Sequence, residues 1–349
     1  MNRTVVKFLW AAALLAISPA ALAQDATVER TSADMVEVRW TGAQAVDLYR
    51  AGLDDEAPAK AALVSANDRD GHETVAVPAG TRATFVLRNR ADGHLVHAVE
   101  RVIPLAQGSN FRDIGGYPAA DGKHVAWGRI YRSGASPLLS DGDLTLIGTL
   151  GLHHLVDLRS DEERAIAPTR IDGVPYAAVG YRMASLMGTG PMHNGGDIYR
   201  AFPKLLAPQM RLVFDLLKRN DGAIEYNCSA GQDRTGFTTA MILSVLGTPR
   251  DVILKDYHLS TALRRPEFEM PKIDPAAFPG NMAAQMFARY QQNPAAAKPQ
   301  PLMDANGRAF LLDAFAEIDQ HWGSVEGYLQ AEAGVTPADI ARLRAIYTR

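Results

Sequence analysis

The sequence predicts a small all-β unit followed by a larger α/β unit. Three observations predict it. Residues 25–104 carry short β-branched and aromatic runs separated by glycine turns. From about residue 105, helical apolar spacings interleave with strand-like runs. The 349-residue length suits about two domains, and a 47% hydrophobic content can furnish a core for each.

Ahead of both units lies a processing signal. Arg3 and Lys7 form a basic start, and Phe8 to Ile17 is an apolar run too short to span a bilayer comfortably. Ala21-Leu22-Ala23 fits a small-x-small cleavage site, so residues 1–23 read as a signal peptide and Gln24 as the mature start. A retained anchor is the alternative. The expected destination is a bacterial periplasm or the exterior, with a soluble mature protein. The charge of -3, from 36 basic and 39 acidic residues, supplies no bulk field for nucleic acid or an anionic membrane.

In residues 24–104, "MVEVRW" (35–40), "AVDLYR" (45–50), "ETVAV" (73–77), "ATFVLRN" (83–89) and "HLVHAVERVI" (94–103) read as strands. Asp70-Gly71, Ala79-Gly80 and Asp92-Gly93 punctuate them. Five or six strands in this length predict an immunoglobulin- or fibronectin-like sandwich without the antibody cysteine pair. "NDRDGHE" (67–73) lacks the alternating acids of a calcium loop and reads as a hairpin turn. The partner of this domain is not legible.

In residues 105–349, "HHLVDLRS" (153–160) reads as a strand. "DIYRAFPKLLAPQMRLVFDLLKRN" (197–220) reads as one amphipathic helix, with Pro203 in its first turn and a kink at Pro208. "AIEYN" is a strand running into a cysteine loop, and "GFTTAMILSVLG" a buried helix closed by Gly247. Residues 264–308 are rich in proline and alanine, with a short helix expected near 280–292. The last forty residues read as helical, with Thr336 as a cap and Pro337 in the first helical position. Alternation of this kind predicts a central, mainly parallel sheet flanked by helices.

The chemistry concentrates in "YNCSAGQDRTGF" (226–237), which holds the only cysteine. One cysteine cannot form an internal disulfide, and a free thiol outside the cytoplasm is open to oxidation. Cys228 is thus either a small buried hydrophobe or a thiol with work to do. Ser229, Ala230 and Gly231 permit tight curvature, so the N–H groups of successive residues can converge on one concavity. A helix beginning near Thr235 or Gly236 adds unpaired donors and positive potential. A free thiol titrates at about 8.5, and thiols at helix starts or beside cations at roughly 3.5–7.5. Arg234, six positions on, can face the sulfur and grip phosphate oxygens in pairs. The Thr235 hydroxyl is positioned by sequence to donate to the sulfur. Nucleophile, oxyanion cradle and charge clamp are the parts of phosphoryl transfer through a cysteinyl-phosphate.

The stretch from Cys228 to Gly236 resembles the Cys-x5-Arg loop of protein tyrosine phosphatases, and more narrowly the bacterial tyrosine/lipid phosphatases whose loop ends in Asp-Arg-Thr-Gly. "NFRDIGGY" (110–117), "GRIYRSG" (128–134), "LVDLRSDEER" (155–164) and "WGSVEGYL" (322–329) resemble further blocks of that group, in its order. The resemblance spans about residues 105–349 and implies a cysteine-phosphatase fold, a phosphotyrosine protein or other phosphomonoester as substrate, and no cofactor or metal. It implies Cys228 as nucleophile and Ser229, Ala230, Gly231, Gln232, Asp233, Arg234 and Thr235 as the phosphate-binding loop. For the general acid it points to Asp157, with Asp233 the competitor by proximity; either could instead be a structural carboxylate tying down an arginine such as Arg159 or Arg112. Asp113 is expected to hold the "NFRDIGG" turn together. Arg132 and Ser133 either line the pocket or are structural, and Arg264 and Arg265 are expected on a solvated face.

Two positions depart from the group. Asn227 stands where a histidine often precedes the cysteine, and Gln232 where lipid-active members often have lysine. Losing that cation weakens the case for inositol phosphates, and Gln232 could instead orient the hydrolytic water. Residues 264–308 resemble a lid, with Phe278 to Tyr290 expected over the pocket. Phosphoserine, phosphothreonine and phosphoinositides are further candidate substrates. The competing readings are a rhodanese-like sulfurtransferase, a catalytically weak phosphate-binding module and a structural envelope protein.

Overall fold

A computed structural model describes residues 26–53, 61–187, 195–293 and 298–349; the expected signal peptide lies outside these residues. The all-β unit contains β1 (Ala26–Ser32), β2 (Met35–Trp40), β3 (Val46–Arg50), β4 (Ala62–Asp68), β5 (His72–Ala76), β6 (Thr84–Asn89) and β7 (Leu95–Val99). Sheet β1-β2-β5 packs against sheet β4-β3-β6-β7, and every pairing within them is antiparallel. Alternation places Val36, Val38 and Trp40 of one sheet and Val46, Leu48, Phe85 and Leu87 of the other in one shared core.

Two strands, β1 and β4, add to those read from the sequence. β1 is polar at most positions and β4 buries none of its residues fully, so neither shows a clear apolar alternation. The segment 67–73 is not a hairpin: β4 and β5 lie in different sheets, and the turn with Gly71 at φ +84° carries the chain across. The run 94–103 pairs with β6 only from Leu95 to Val99.

The second unit contains β8 (Arg112–Asp113), β9 (Ile130–Ser133), α1 (Asp141–Gly148), β10 (Leu152–Asp157), α2 (Asp161–Ile166), β11 (Tyr176–Ala178) and α3 (Met183–Met187). It continues with α4 (Gly196–Leu205), α5 (Ala207–Arg219), β12 (Ala223–Asn227), α6 (Asp233–Leu246) and α7 (Arg250–Leu263). It ends with α8 (Met282–Gln291), α9 (Leu311–Trp322), α10 (Val325–Ala333) and α11 (Pro337–Tyr347). The sheet order is β11-β10-β12-β9-β8, with parallel pairing from β11 to β9 and antiparallel pairing of β8 to β9.

Its two faces bury different clusters. Val156, Ile224, Tyr226 and Ile130 face the larger core with α4–α6 and α9–α11, while Leu155, Ala223 and Tyr131 face a smaller one under α1. The single helix expected over 197–220 is two. Leu206 leaves helical geometry, Pro203 falls late in α4, and Pro208 takes an early position in α5, where its missing N–H costs nothing. The αL closure at Gly247 and the Thr336–Asp339 capping box stand where the sequence puts them. Among the described residues, no helix is long and apolar enough to cross a membrane.

Candidate active site

Strand β12 ends at Asn227 and α6 begins at Asp233, two or three residues before the start expected from sequence. The five residues from Cys228 to Gln232 make the turn between them. What shapes this turn is the fate of its carbonyls. The Ser229 oxygen accepts from Ala135 N at 2.9 Å, the Ala230 oxygen from Asn110 Nδ2 at 2.7 Å, and the Gly231 oxygen from Arg132 Nη2 at 2.8 Å. With three successive carbonyls drawn outward, the N–H groups that follow them across trans peptides, those of residues 230–232, are left facing the other way. None of them donates to a backbone carbonyl among the described residues outside α6.

Gly231 is demanded twice. Its φ is +67°, and a Cβ would stand 2.7 Å from Ser133 C and O. Asn110, which holds the Ala230 carbonyl, itself adopts φ +56°, a conformation asparagine tolerates.

Beneath the turn lies a buried ionic network. Arg112 Nε donates to Asp256 Oδ1 at 3.0 Å and Arg132 Nη1 to Asp256 Oδ2 at 2.5 Å; Ser260 Oγ accepts from both arginines at 2.8 and 3.0 Å. Burial alone would favour the neutral carboxyl of Asp256, but the two guanidiniums overcome it and hold its pKa far below the carboxylate range. Burial, then the charge of Arg112, lowers the pKa of Arg132. Arg132 and Ser133 therefore do not line a pocket. Arg132 props the turn from below, and the Ser133 hydroxyl donates to Glu225 Oε1 at 2.7 Å.

Arg234 is clamped by a residue the sequence reading passed over. Nη1 and Nη2 each donate to Glu163 at 2.7 Å, and Nη1 also donates to Tyr181 Oη at 2.7 Å. Three of the five guanidinium donors are thus taken. The remaining two, Nε–H and the second Nη2–H, share one edge, the fork that matches two phosphate oxygens. Burial opposes the charge on Glu163, but Arg234 outweighs it and brings the pKa down to about 2. Glu163 Oε1 also accepts from Ser229 Oγ at 2.6 Å, tying the clamp to the turn. The signal was present in "SDEER": Ser160 and Glu163 form the capping box of α2, which fixes where the carboxylate points.

Cys228 is 2% exposed, at the boundary between the larger core and this polar cluster. Cys228 lies close enough to Arg234 and Tyr181 to be among the groups that raise the pKa of each. The Thr235 hydroxyl donates to Ser133 O at 3.5 Å and, among the described residues, makes no hydrogen bond with the sulfur. Gln232 accepts from Arg264 Nη1 at 3.0 Å, and Arg264 is itself paired with Glu269 at 2.9 Å. Arg264 is therefore not on a solvated face; it abuts the cradle with its charge matched.

The two candidate acids are treated very differently. Asp157 is fully buried and accepts from Arg159 N, Nε and Nη2 at 2.6–3.1 Å and from Tyr176 Oη at 2.9 Å. Burial and the charge of Asp157 push the Tyr176 hydroxyl up to about 12. So occupied, Asp157 orders the "DLRS" corner, tied to Arg159 in the structural arrangement that stood as the alternative to the acid role. Asp233 is partly exposed at the first position of α6 and accepts one hydrogen bond, from Tyr199 Oη at 2.5 Å. Tyr199 in turn accepts from Tyr257 Oη at 2.6 Å. Asp113 accepts from Gly115 N at 2.8 Å and Gly128 N at 2.7 Å, the turn-holding role expected of it. The expected lid contains α8, whose capping residue Asn281 donates to Glu162 O at 3.1 Å, beside the clamp of Arg234.

Comparison with known proteins agrees with this geometry. Residues 103–349 match the sequence profile of the tyrosine phosphatase family. A provisionally named tyrosine-protein phosphatase of Cupriavidus necator is 32% identical over 259 residues, covering 68% of this chain and 85% of its own. The triple specificity protein phosphatase PtpB of Mycobacterium tuberculosis is 26% identical, covering 68% of this chain and 95% of its own. A tyrosine-protein phosphatase of Nostoc commune is 28% identical, covering 59% and 69%. On the match across residues 103–349, this chain belongs to the tyrosine phosphatase family.

Proposed function

We propose that the protein hydrolyses phosphotyrosine through a cysteinyl-phosphate, with Cys228 as nucleophile, Arg234 and the N–H groups of residues 229–234 as the oxyanion cradle, and Asp233 as general acid. The observation that carries this reading is the outward capture of the Ser229, Ala230 and Gly231 carbonyls, which leaves the donors of the turn for an anion. The Cys228 sulfur attacks phosphorus as the bond to the leaving oxygen breaks, and the Asp233 carboxyl gives that oxygen a proton. Water then attacks phosphorus, the phosphorus–sulfur bond breaks, and Asp233 takes the proton back. Asp157 has no part in these transfers.

Phosphoserine, phosphothreonine and phosphoinositides are secondary substrates in this reading. The named specificity of the Mycobacterium tuberculosis relative favours breadth. Against inositol phosphates stands the loop position Gln232, where Arg264 brings a cation already matched by Glu269. A bare phosphate-binding module is the second reading, kept by Asn227 and Gln232. Export, through cleavage after Ala23, belongs to the same proposal and rests on the sequence of residues 1–23. So does the assignment of the two units as a fibronectin-like sandwich and a cysteine-phosphatase fold, supported by the strand orders.

The deciding experiment is p-nitrophenyl phosphate turnover by the mature protein and by Cys228→Ser. Turnover that vanishes in the variant supports the reading. An inactive parent that still binds tungstate selects the binding module.

A further inference from the structure

The β8–β9 ladder has two faces, and only one has been accounted for. Its register pairs Arg112 with Arg132 and Asp113 with Tyr131. Successive residues of a strand point to opposite sides. Arg112 and Arg132 therefore point together towards Asp256, Ser260 and the Gly231 carbonyl, and Asp113 and Tyr131 point together the other way.

What meets Asp113 and Tyr131 is a residue of the β-sandwich. Arg82, just ahead of β6, donates from Nη2 to Asp113 Oδ2 at 2.8 Å and from Nη1 to Tyr131 Oη at 3.2 Å. Its Nε donates to Glu100 O at 2.8 Å. Side-chain exposure is 6% for Arg82 and 0% for Asp113, so this is a desolvated ion pair and not a surface contact. The chain between the units adds to it: Asp113 N donates to Arg101 O at 3.0 Å, and Arg101 Nη1 donates to the carbonyls of Asp113 and Gly115 at 3.0 and 2.7 Å. A two-residue strand has few ladder bonds of its own, so its position depends on what holds each face.

We propose that Arg82 is a positioning residue for the phosphatase reaction: by holding Asp113 and Tyr131 it sets the β8–β9 ladder, whose opposite face aims the phosphate loop through Arg132. The β-sandwich is then a structural part of the active site's support and not an independent appendage. The inference rests on the phosphatase reading of the loop. The alternative is that Arg82 only glues the two units together, in which case its loss lowers stability and leaves the chemistry of the folded protein alone.

The test uses the mature full chain, with Arg82→Met, Arg82→Lys and, as a control, Arg90→Gln, whose arginine pairs with Asp47 inside the sandwich. Thermal melting, tungstate affinity and steady-state kinetics on p-nitrophenyl phosphate are read well below the melting range. Arg82→Met is expected to lower both kcat and tungstate affinity about ten-fold, the scale of one weakened charge-assisted bond in the support. Arg82→Lys keeps the charge towards Asp113, loses the other contacts and falls between; Arg90→Gln matches the parent. A lower melting point with parental kcat and tungstate affinity overturns the proposal. If the methionine variant does not fold, the lysine variant decides, and parental values there overturn it equally. An inactive parent would sink the hydrolase reading, while the tungstate series would still test the role of Arg82.

Discussion

Replacing Glu163 with glutamine isolates the clamp on Arg234. The amide is nearly the same shape and can still serve the α2 capping box, so the local helix start survives. What disappears is the charge that faces a guanidinium 9% exposed and bound at 2.7 Å by both oxygens. Removing one partner of a buried pair costs about 3–5 kcal/mol, and the retained amide oxygen places the expectation at the low end, about 3 kcal/mol. For a domain of this size about 2–4 °C of melting temperature accompanies each kcal/mol, so the midpoint should fall by about 6–12 °C. The freed Arg234 no longer presents its Nε–Nη2 edge, and kcat/KM should drop about 10²-fold, the scale of one lost oxyanion donor.

The sign of the acid dependence follows from the same pair. The Glu163 pKa is lowered to about 2, against burial, chiefly by Arg234. Its stabilisation is therefore complete above the ordinary glutamate range near 4.5 and is lost as pH falls from there towards 2. Calorimetry from pH 2 to pH 7, on parent and Glu163→Gln, should show the two melting curves converging in acid. A variant that melts with the parent at pH 7 and turns over at its rate would refute the clamp.

Three further outcomes are expected. Asp233→Asn should slow phenyl phosphate about 10²-fold and p-nitrophenyl phosphate far less, because p-nitrophenolate needs little help in leaving. Asp157→Asn, which strands the buried Arg159, should instead cost about 3–5 kcal/mol in a denaturant melt with no dependence on the leaving group; a dependence there would restore Asp157 as the acid. Glu225 is buried, and burial, with the charge of Asp157, raises its pKa to about 8. The folded chain then holds a proton that the unfolded chain releases above about pH 4.5, so stability declines between these values. Glu225→Gln should match the parent near pH 4.5 and exceed it by about 4 kcal/mol at pH 8, read as melting temperature; parallel pH profiles would contradict this. Gly231→Ala must move backbone that its Cβ would meet at 2.7 Å, and tungstate affinity measured by calorimetry should fall at least ten-fold, unchanged affinity being the contrary result.

Much of the fold could be read along the chain because the signals are local. Alternation marks β2, β3, β5, β6 and β12, a 3.6-residue spacing marks α5 and α6, and Gly247 and Thr336 mark ends. β1 and β4 were missed because each has one weakly apolar face, so the pattern that reveals a strand is faint. Pro203 misled because an early-turn proline and a late one leave the same trace in a list of residues.

Cys228, Gly231 and Arg234 owe their legibility to spacing: five residues between a strand and a helix must turn tightly, and glycine betrays the turn. The residues that make the loop work as a cradle are remote. Asn110 and Arg132 lie 120 and 99 residues from the turn atoms they hold, Asp256 lies 124 residues from Arg132, and Glu163 lies 71 residues from Arg234. Which carboxylate is free and which is locked was likewise undecidable from order alone, since Asp157 and Asp233 differ only in the partners that packing brings to them. Sequence determines the elements and the reactive atoms because those depend on near neighbours; tertiary structure decides charge state, orientation and role because electrostatics and hydrogen bonds act through space.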